Sequence, residues 1–215
     1  MADIKATNQG GGFVDGLLKC TQSGHTAFVL INLPRIDQGF GNMFLDELCL
    51  TMEKLDRQRE IYAVILAGTG RLYGENVSGE DSSSFGSGRI SSSASSQGIR
   101  CADMIASMRA YTIAAVNGLV SGDLCDIVLS CKARVGTENT SFSFPVPISN
   151  INWIISTLHL PDDERYDAIG KLISSARRVN MRMAVECGLI DEISDSRELI
   201  DRCIEMASDV ISISR

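Results

Sequence analysis

The run YAVILA, from Tyr62 to Ala67, is apolar at every position and is followed by a glycine. A strand with no polar face belongs in a parallel sheet that helices cover on both sides. A helix from about Ile99 to Arg109 is predicted next, followed by strands at Thr112 to Asn117 and near Ala133 to Gly136. This alternation of strand and helix predicts a mainly parallel sheet with right-handed crossovers.

Segments on both sides of this pattern have regular periodicity. His25 to Asn32 predicts a strand, and residues 43–58 place apolar side chains on one face of a helix. The C-terminal part, about 162–215, is predicted to be helical, with a last helix from about Asp195 that Asp195 or Ser196 caps. Helices are also predicted at Asp162 to Ser175 and at Met181 to Cys187, the latter closed by Gly188. The apolar stripe of the last helix consists of Leu199, Cys203, Met206 and Val210.

With 215 residues and 44% hydrophobic content, the chain is predicted to form one domain over residues 1–215. Residues 74–98 are rich in serine and glycine and carry few apolar groups, so a mobile loop is predicted there. The N-terminus resembles no secretory signal and no stretch is apolar enough to cross a membrane, so the predicted location is the cytoplasm.

Charge and cysteine content exclude several classes of function. A formal net charge of −7 and a pI near 4.9 argue against a nucleic-acid partner, which requires clustered Lys and Arg. The seven cysteines are scattered and never paired as CxxC, so reduced thiols in the core are predicted, with no metal site. Lys132 and Arg134 could meet a phosphate, but two basic residues more often form a solvated edge.

The stretch AAVNGLVSGDLCDIVLSC, residues 114–131, places a polar loop between two apolar segments. A helix is predicted from Leu124 to Ser130, so the loop delivers the chain to a helix N-terminus, where backbone N–H groups and the helix dipole favour negative charge.

Three segments resemble the crotonase, or enoyl-CoA hydratase/isomerase, superfamily in order and spacing. They are YAVILAGTGRLYGENVSGED, IAAVNGLVSGDLCDIVLSCKARVGTENTSFSFP and AVECGLIDEI, and the resemblance covers roughly residues 25–210. It implies an α/β fold, a crotonase-like ββα spiral with a mainly parallel sheet and C-terminal helices. It also implies that two backbone N–H groups stabilise the enolate or oxyanion of an acyl thioester.

The resemblance assigns one donor to the N–H of Asp123. For the other it leaves two alignments, one with Tyr73 at the family's aromatic position and residues 74–76 as the loop, and one with Ser78 as the donor. We prefer the N–H of Ser78, because Ser-Gly-x-Asp keeps the family's motif. Substrate-binding positions are expected at Tyr73, Gly79, Gly118 and Gly122.

The acids depart from the family's hydratases, which use two glutamates to activate water. The first position is Asp126 and the second is Val146, which cannot transfer a proton. Asp126 could be catalytic or could cap its helix. A carboxylate at Asp123 would disfavour an oxyanion unless its side chain points away.

Two functions therefore remain open. The chain is either an acyl-thioester enzyme, acting as an isomerase, decarboxylase or hydrolase rather than an efficient hydratase, or a catalytically degenerate helper subunit of another acyl-processing enzyme, such as a polyketide or specialised-metabolite synthase. The expected partners are acyl-CoA or an acyl carrier protein, with coenzyme A as part of the substrate and no resident cofactor. A homo-trimer or dimer of trimers is expected, because the resemblance implies trimers that bury the C-terminal helices between neighbours, and because the last helix has an apolar stripe that needs a cover.

Overall fold

The structure, a computed structural model, describes residues 18–31, 40–68, 96–144 and 178–213. These residues form nine strands and five helices. In chain order they are β1 Leu18–Ser23, β2 Thr26–Ile31, α1 Phe40–Arg57, β3 Ala63–Gly68, α2 Ser96–Ser107, β4 Tyr111–Val116, β5 Leu119–Ser121, α3 Asp123–Leu129, β6 Ala133–Gly136, β7 Ser141–Ser143, β8 Val179–Asn180, α4 Met181–Glu186, β9 Glu192–Ile193 and α5 Leu199–Ile213.

Two sheets organise these elements. The larger has the order β1-β2-β3-β4-β6-β9, and all of its pairs are parallel except β1 with β2. The smaller has the order β5-β7-β8, with β5 parallel to β7. The predicted mainly parallel sheet is confirmed, and β4 and β5 carry the chain from one sheet to the other.

The apolar run of β3 is explained by cover on both faces of the larger sheet. Val64 and Leu66 join a core that α1, α2 and α3 cover. Ala63, Ile65 and Ala67 point to the opposite face and join a second core that α5 covers. Because alternate residues of a strand face opposite sides, both sets must be apolar.

Several boundaries differ from the predictions. The strand β1 was not predicted, and Ser96–Ser107 is helical, so the N-terminal end of α2 includes three residues assigned to the mobile loop. The remainder of that loop, residues 74–95, and the helix predicted at 162–175 lie outside the described residues. Helix α5 begins at Leu199, because Asp195 first accepts the N–H of Arg197 at 2.8 Å in a preceding turn.

Part of the apolar stripe on the last helix is covered within the chain. Leu199, Cys203 and Ala207 of α5 are buried against strands β3, β4 and β6 of the same chain. Of the predicted stripe, Leu199 and Cys203 are thus covered within the chain, whereas Met206 and Val210 are half-buried, and self-association stays a prediction. Within the described residues no helix combines the length and apolar character that crossing a membrane requires.

Lys132 is exposed, as expected of a solvated edge, whereas Arg134 is buried, so the two residues do not form one solvated pair. The Lys132 ammonium donates to the carbonyl of Ala110 at 2.9 Å, and Arg134 is buried with its guanidinium 2.8 Å from a carboxylate oxygen of Asp191. A second carboxylate oxygen of Asp191 accepts the backbone N–H of Arg134 at 2.7 Å. These contacts join β6 to the segment that leads into β9.

Candidate oxyanion turn and acid

A hydrogen-bonded threonine pair fixes the point at which β4 leaves the larger sheet. Thr137 donates its hydroxyl to the side-chain oxygen of Asn117 at 2.8 Å, and Thr140 donates to the carbonyl of Val116 at 2.8 Å. The hydroxyl oxygen of Thr140 also accepts the N–H of Thr137 at 2.9 Å. Both threonines are buried, so this network sets the direction of the chain as it enters the next turn.

Glycine allows the two sharp changes of direction that follow. Gly118 has φ of 106° and its carbonyl accepts the N–H of Ser141 at 3.0 Å, which starts the pairing of β5 with β7. Gly122 has φ of 61° and ψ of −141°, a conformation that is essentially restricted to glycine. Helix α3 then begins at Asp123, one residue earlier than predicted.

The expected oxyanion donor, the N–H of Asp123, belongs to the backbone at the start of α3. Asp123 is the first residue of α3, and the N–H groups of a first turn point out of the N-terminal end of a helix. The carbonyl of Gly122 accepts the N–H of Cys125 at 3.0 Å, which ties the turn to the helix. The N–H of Asp123 is therefore held in a defined position at the start of α3.

Asp126 lies one turn further along α3 and is 6% exposed. Burial, followed by the negative charge of Asp123, raises the pKa of Asp126 from 3.8 to about 7. The helix is capped by Gly122, and within the described residues the Asp126 carboxylate has no hydrogen bond. Capping therefore does not account for this side chain, whereas a buried carboxyl with a pKa near neutrality can transfer protons.

Thiolate chemistry does not compete with Asp126. Cys125 is buried beside it, and burial followed by the charge of Asp126 raises the pKa of this thiol well above its usual value. Because the thiolate is the reactive form, Cys125 is inert near neutral pH. In the part of the chain that the structure describes, no group of three or more His, Cys, Asp or Glu side chains could hold a metal ion.

The structure brings together four of the predicted site residues, Gly118, Gly122, Asp123 and Asp126. The other predicted positions, Tyr73, Ser78 and Gly79, and also Val146, lie outside the described residues, so their assignments stay predictions. The sequence interpretation missed the threonine pair and Gly98 of α2, which contacts Asp123. The spacing T-x-x-T in GTENTSF was the available signal for the first of these.

We predict that Gly122→Ala impairs the site through backbone strain alone. A Cβ at Gly122 meets nothing within 4 Å, so no clash adds to the cost of the positive φ, about 1–3 kcal/mol. The donor N–H should shift and turnover should fall. The matched control is Gly24→Ala in the β1–β2 turn, where φ is 57° and a Cβ again meets nothing. Chemical denaturation and steady-state kinetics should show that both variants lose stability and only Gly122→Ala loses activity; equal activity in the two would contradict the assignment.

Comparison with known proteins places this geometry in a family. The enoyl-CoA hydratase/isomerase family model matches residues 24–215. The short-chain-enoyl-CoA hydratase of Clostridium acetobutylicum is 25% identical over 195 residues, which cover 89% of this chain and 74% of the relative.

Solved structures show the same fold. DspI of Pseudomonas aeruginosa superimposes with a TM-score of 0.69 at 20% identity, covering 96% of this chain and 78% of DspI. A monofunctional enoyl-CoA isomerase from M. smegmatis gives a TM-score of 0.66 at 20% identity, covering 90% and 84% respectively. The fold is thus that of the crotonases, and the chain belongs to the enoyl-CoA hydratase/isomerase family.

Proposed function

We propose that this protein is an enoyl-thioester isomerase in which Asp126 moves a proton between two carbons of an acyl-CoA or acyl-carrier substrate. The observation that carries the proposal is a single buried carboxyl on α3, with a pKa of about 7, one turn from the donor N–H of Asp123. At neutral pH such a group is present in both protonation states, so it can act as base and then as acid.

The proposed reaction needs one carboxyl group. Asp126 takes a proton from the carbon between the thioester carbonyl and the double bond, and the electron pair moves onto the carbonyl oxygen to give a dienolate. The N–H of Asp123 donates to that oxygen, and the N–H of Ser78 is the proposed second donor. The protonated Asp126 then returns a proton to the far carbon of the dienolate, so the double bond moves into conjugation and the carboxylate is restored.

Water addition is disfavoured because a hydratase of this family holds its water between two acids. Here Val146 stands at the second position and has no ionisable group. Each positioned acid or base typically contributes ~10²–10⁴-fold to a rate, so the loss of one should leave hydration slow. Isomerisation does not incur this loss.

A helper subunit remains the second candidate, favoured by the same Val146 and by a carboxylate side chain in the donor turn. The family resemblance alone supports the remaining parts of the proposal, which are binding of coenzyme A as part of the substrate and assembly into a homo-trimer or dimer of trimers. Decarboxylation and thioester hydrolysis are alternative outcomes of the test below.

The test is a panel of acyl-CoA thioesters incubated with the pure protein in D₂O and followed by mass spectrometry. A 3-enoyl-CoA should be converted to the conjugated 2-enoyl-CoA, with deuterium incorporated only to the extent that the proton on Asp126 exchanges with solvent, and little 3-hydroxyacyl-CoA should accumulate. A wild-type hydration rate that matches or exceeds the isomerisation rate would contradict the proposal. No turnover of any thioester, together with acceleration of a purified acyl-processing partner enzyme, would support the helper subunit instead.

A further inference from the structure

The side chain of Asp123 lies against helix α2 at Gly98. A Cβ built on Gly98 would stand 2.5 Å from Oδ1, 2.7 Å from Cγ and 3.0 Å from Cβ of Asp123. Atoms in proteins do not approach a Cβ at the first two distances, so the carboxylate occupies the space that any side chain at position 98 would need. The absence of a side chain at Gly98 is therefore what lets α3 approach α2 here.

This placement puts the carboxylate beside the first turn of α2. Gly98 is the third residue of α2, and the first N–H groups of a helix have no partner within it and carry a partial positive charge. A negative side chain is stabilised at that position. Since the side chain of Asp123 is directed to α2, its backbone N–H can serve the thioester oxygen without the carboxylate occupying the same place.

We propose that Asp123 is a positioning residue of the acyl-thioester site, whose carboxylate, seated in the space at Gly98, locks the start of α3 against the first turn of α2. The inference rests on the proposed function in one respect, that the site binds an acyl thioester. The contact that holds α3 against α2 is a property of the folded chain. Asp123 acts in this role through its side chain, whereas its backbone N–H acts on substrate.

The position of the Asp123 carboxylate also affects the second acid of α3, Asp126. Asp123 and Asp126 are three residues apart and share one face of the helix, so the charge of the first acts on the second. Other ionisable groups also lie on α2 and α3. Cys101 of α2 and Cys125 of α3 are buried, neutral thiols, and Asp103 of α2 is exposed. Arg100 lies in the groove between α1 and α2 with Asp46 and Glu53.

Asp123→Asn tests the charge while keeping the shape of the side chain. Two readouts need no substrate: the titration of Asp126, followed by ¹³C NMR of labelled aspartate and assigned with Asp126→Asn, and hydrogen exchange of the first-turn amides of α2. The Asn variant should titrate Asp126 at lower pH than the wild type, and its α2 amides should exchange faster. Asp209→Asn on α5 removes the same charge from an exposed position and should change neither.

Gly98→Ala tests the contact while keeping the charge. Alanine favours a helix more than glycine does, so without the contact this variant would raise the melting temperature. We expect a lower melting temperature and, by displacement of the donor N–H, turnover reduced by up to ~10²-fold. In the double variant Gly98→Ala/Asp123→Ala the two closest atoms are gone and only the Cβ of residue 123, at 3.0 Å, remains, so Gly98→Ala should lower the melting temperature much less than it does in the wild-type background.

Unchanged Asp126 titration and unchanged α2 exchange in Asp123→Asn would overturn the proposal, as would additive melting effects in the double variant. If no thioester is turned over by the wild type, the proposed function fails, but exchange, titration and melting still decide whether Asp123 locks α3 to α2.

Discussion

Asp126→Asn should lower kcat/KM for acyl-CoA isomerisation by ~10²–10⁴-fold, the range typical for loss of a positioned acid or base. The amide has nearly the shape of the carboxyl group, so substrate binding and the donor turn should be retained. Because proton transfer is lost in the transition state only, the fall should appear in kcat with little change in KM. Asp126→Glu, which restores the family's residue type, should keep part of the activity.

The pH dependence of the wild type should follow the same group. Proton abstraction requires the Asp126 carboxylate, so kcat/KM should rise with pH through about 7 and then level off. The residual activity of Asp126→Asn should lack this rise. A full retention of activity in Asp126→Asn, or an unchanged pH profile, would show that the reaction uses another base.

Stability supplies a separate readout of Asp126. Its pKa is 3.8 in the unfolded chain and about 7 in the folded protein, so between these values the unfolded chain binds fewer protons. The free energy of unfolding therefore falls as pH rises from about 4 to about 7. At ~1.4 kcal/mol per pKa unit the loss is at most about 4 kcal/mol. Asp126→Asn should not show this loss. Urea denaturation should therefore find that the free energy of unfolding of the variant increases relative to that of the wild type as the pH rises across this range.

The larger sheet could be predicted because its strands have a distinctive local pattern. β3 is apolar on both faces, and β6 was predicted at its observed bounds. β1 could not be predicted in the same way, because LKCTQS is a mostly polar edge strand whose pairing depends on β2. The three-residue strands β5 and β7 are too short to have a measurable period, and only their mutual pairing defines them.

In the candidate site, too, residues within one motif could be predicted, whereas contacts between separate elements could not. Asp123 and Asp126 could be found because they lie within one contiguous motif whose spacing matches a family pattern. The space at Gly98 could not be found from local sequence, since it depends on a contact with Asp123 of another helix. The T-x-x-T spacing could indicate the threonine pair, but not that Thr137 and Thr140 bond to Asn117 and Val116. The raised pKa of Asp126 likewise depends on burial by other elements.

The ion pair between Arg134 and Asp191 should have the largest effect on stability. Asp191→Ala leaves a guanidinium whose side chain is only 8% exposed without its carboxylate, and within the described residues the Nε of Arg134 already has no partner. Breaking a buried pair costs ~3–5 kcal/mol; Asp191 itself is 41% exposed, so we expect about 2–4 kcal/mol. Glu186→Ala, which breaks the exposed pair with Arg182, should cost less than about 0.5 kcal/mol.

The two partners of this pair should not be equivalent. Arg134→Met removes the buried charge, fills the space with an apolar side chain and leaves Asp191 in contact with water, where it still accepts the backbone N–H of residue 134. It also removes the hydrogen bonds from the guanidinium to the carbonyls of Leu129 and Cys131, a smaller cost than an unpaired buried charge. Arg134→Met should therefore destabilise the protein less than Asp191→Ala, as measured by urea denaturation at neutral pH. An equal loss of stability in the two variants, or a greater loss for Arg134→Met, would contradict this prediction. It would mean that the attraction within the pair outweighs the cost of burying the guanidinium, although Arg134 is buried and Asp191 is exposed.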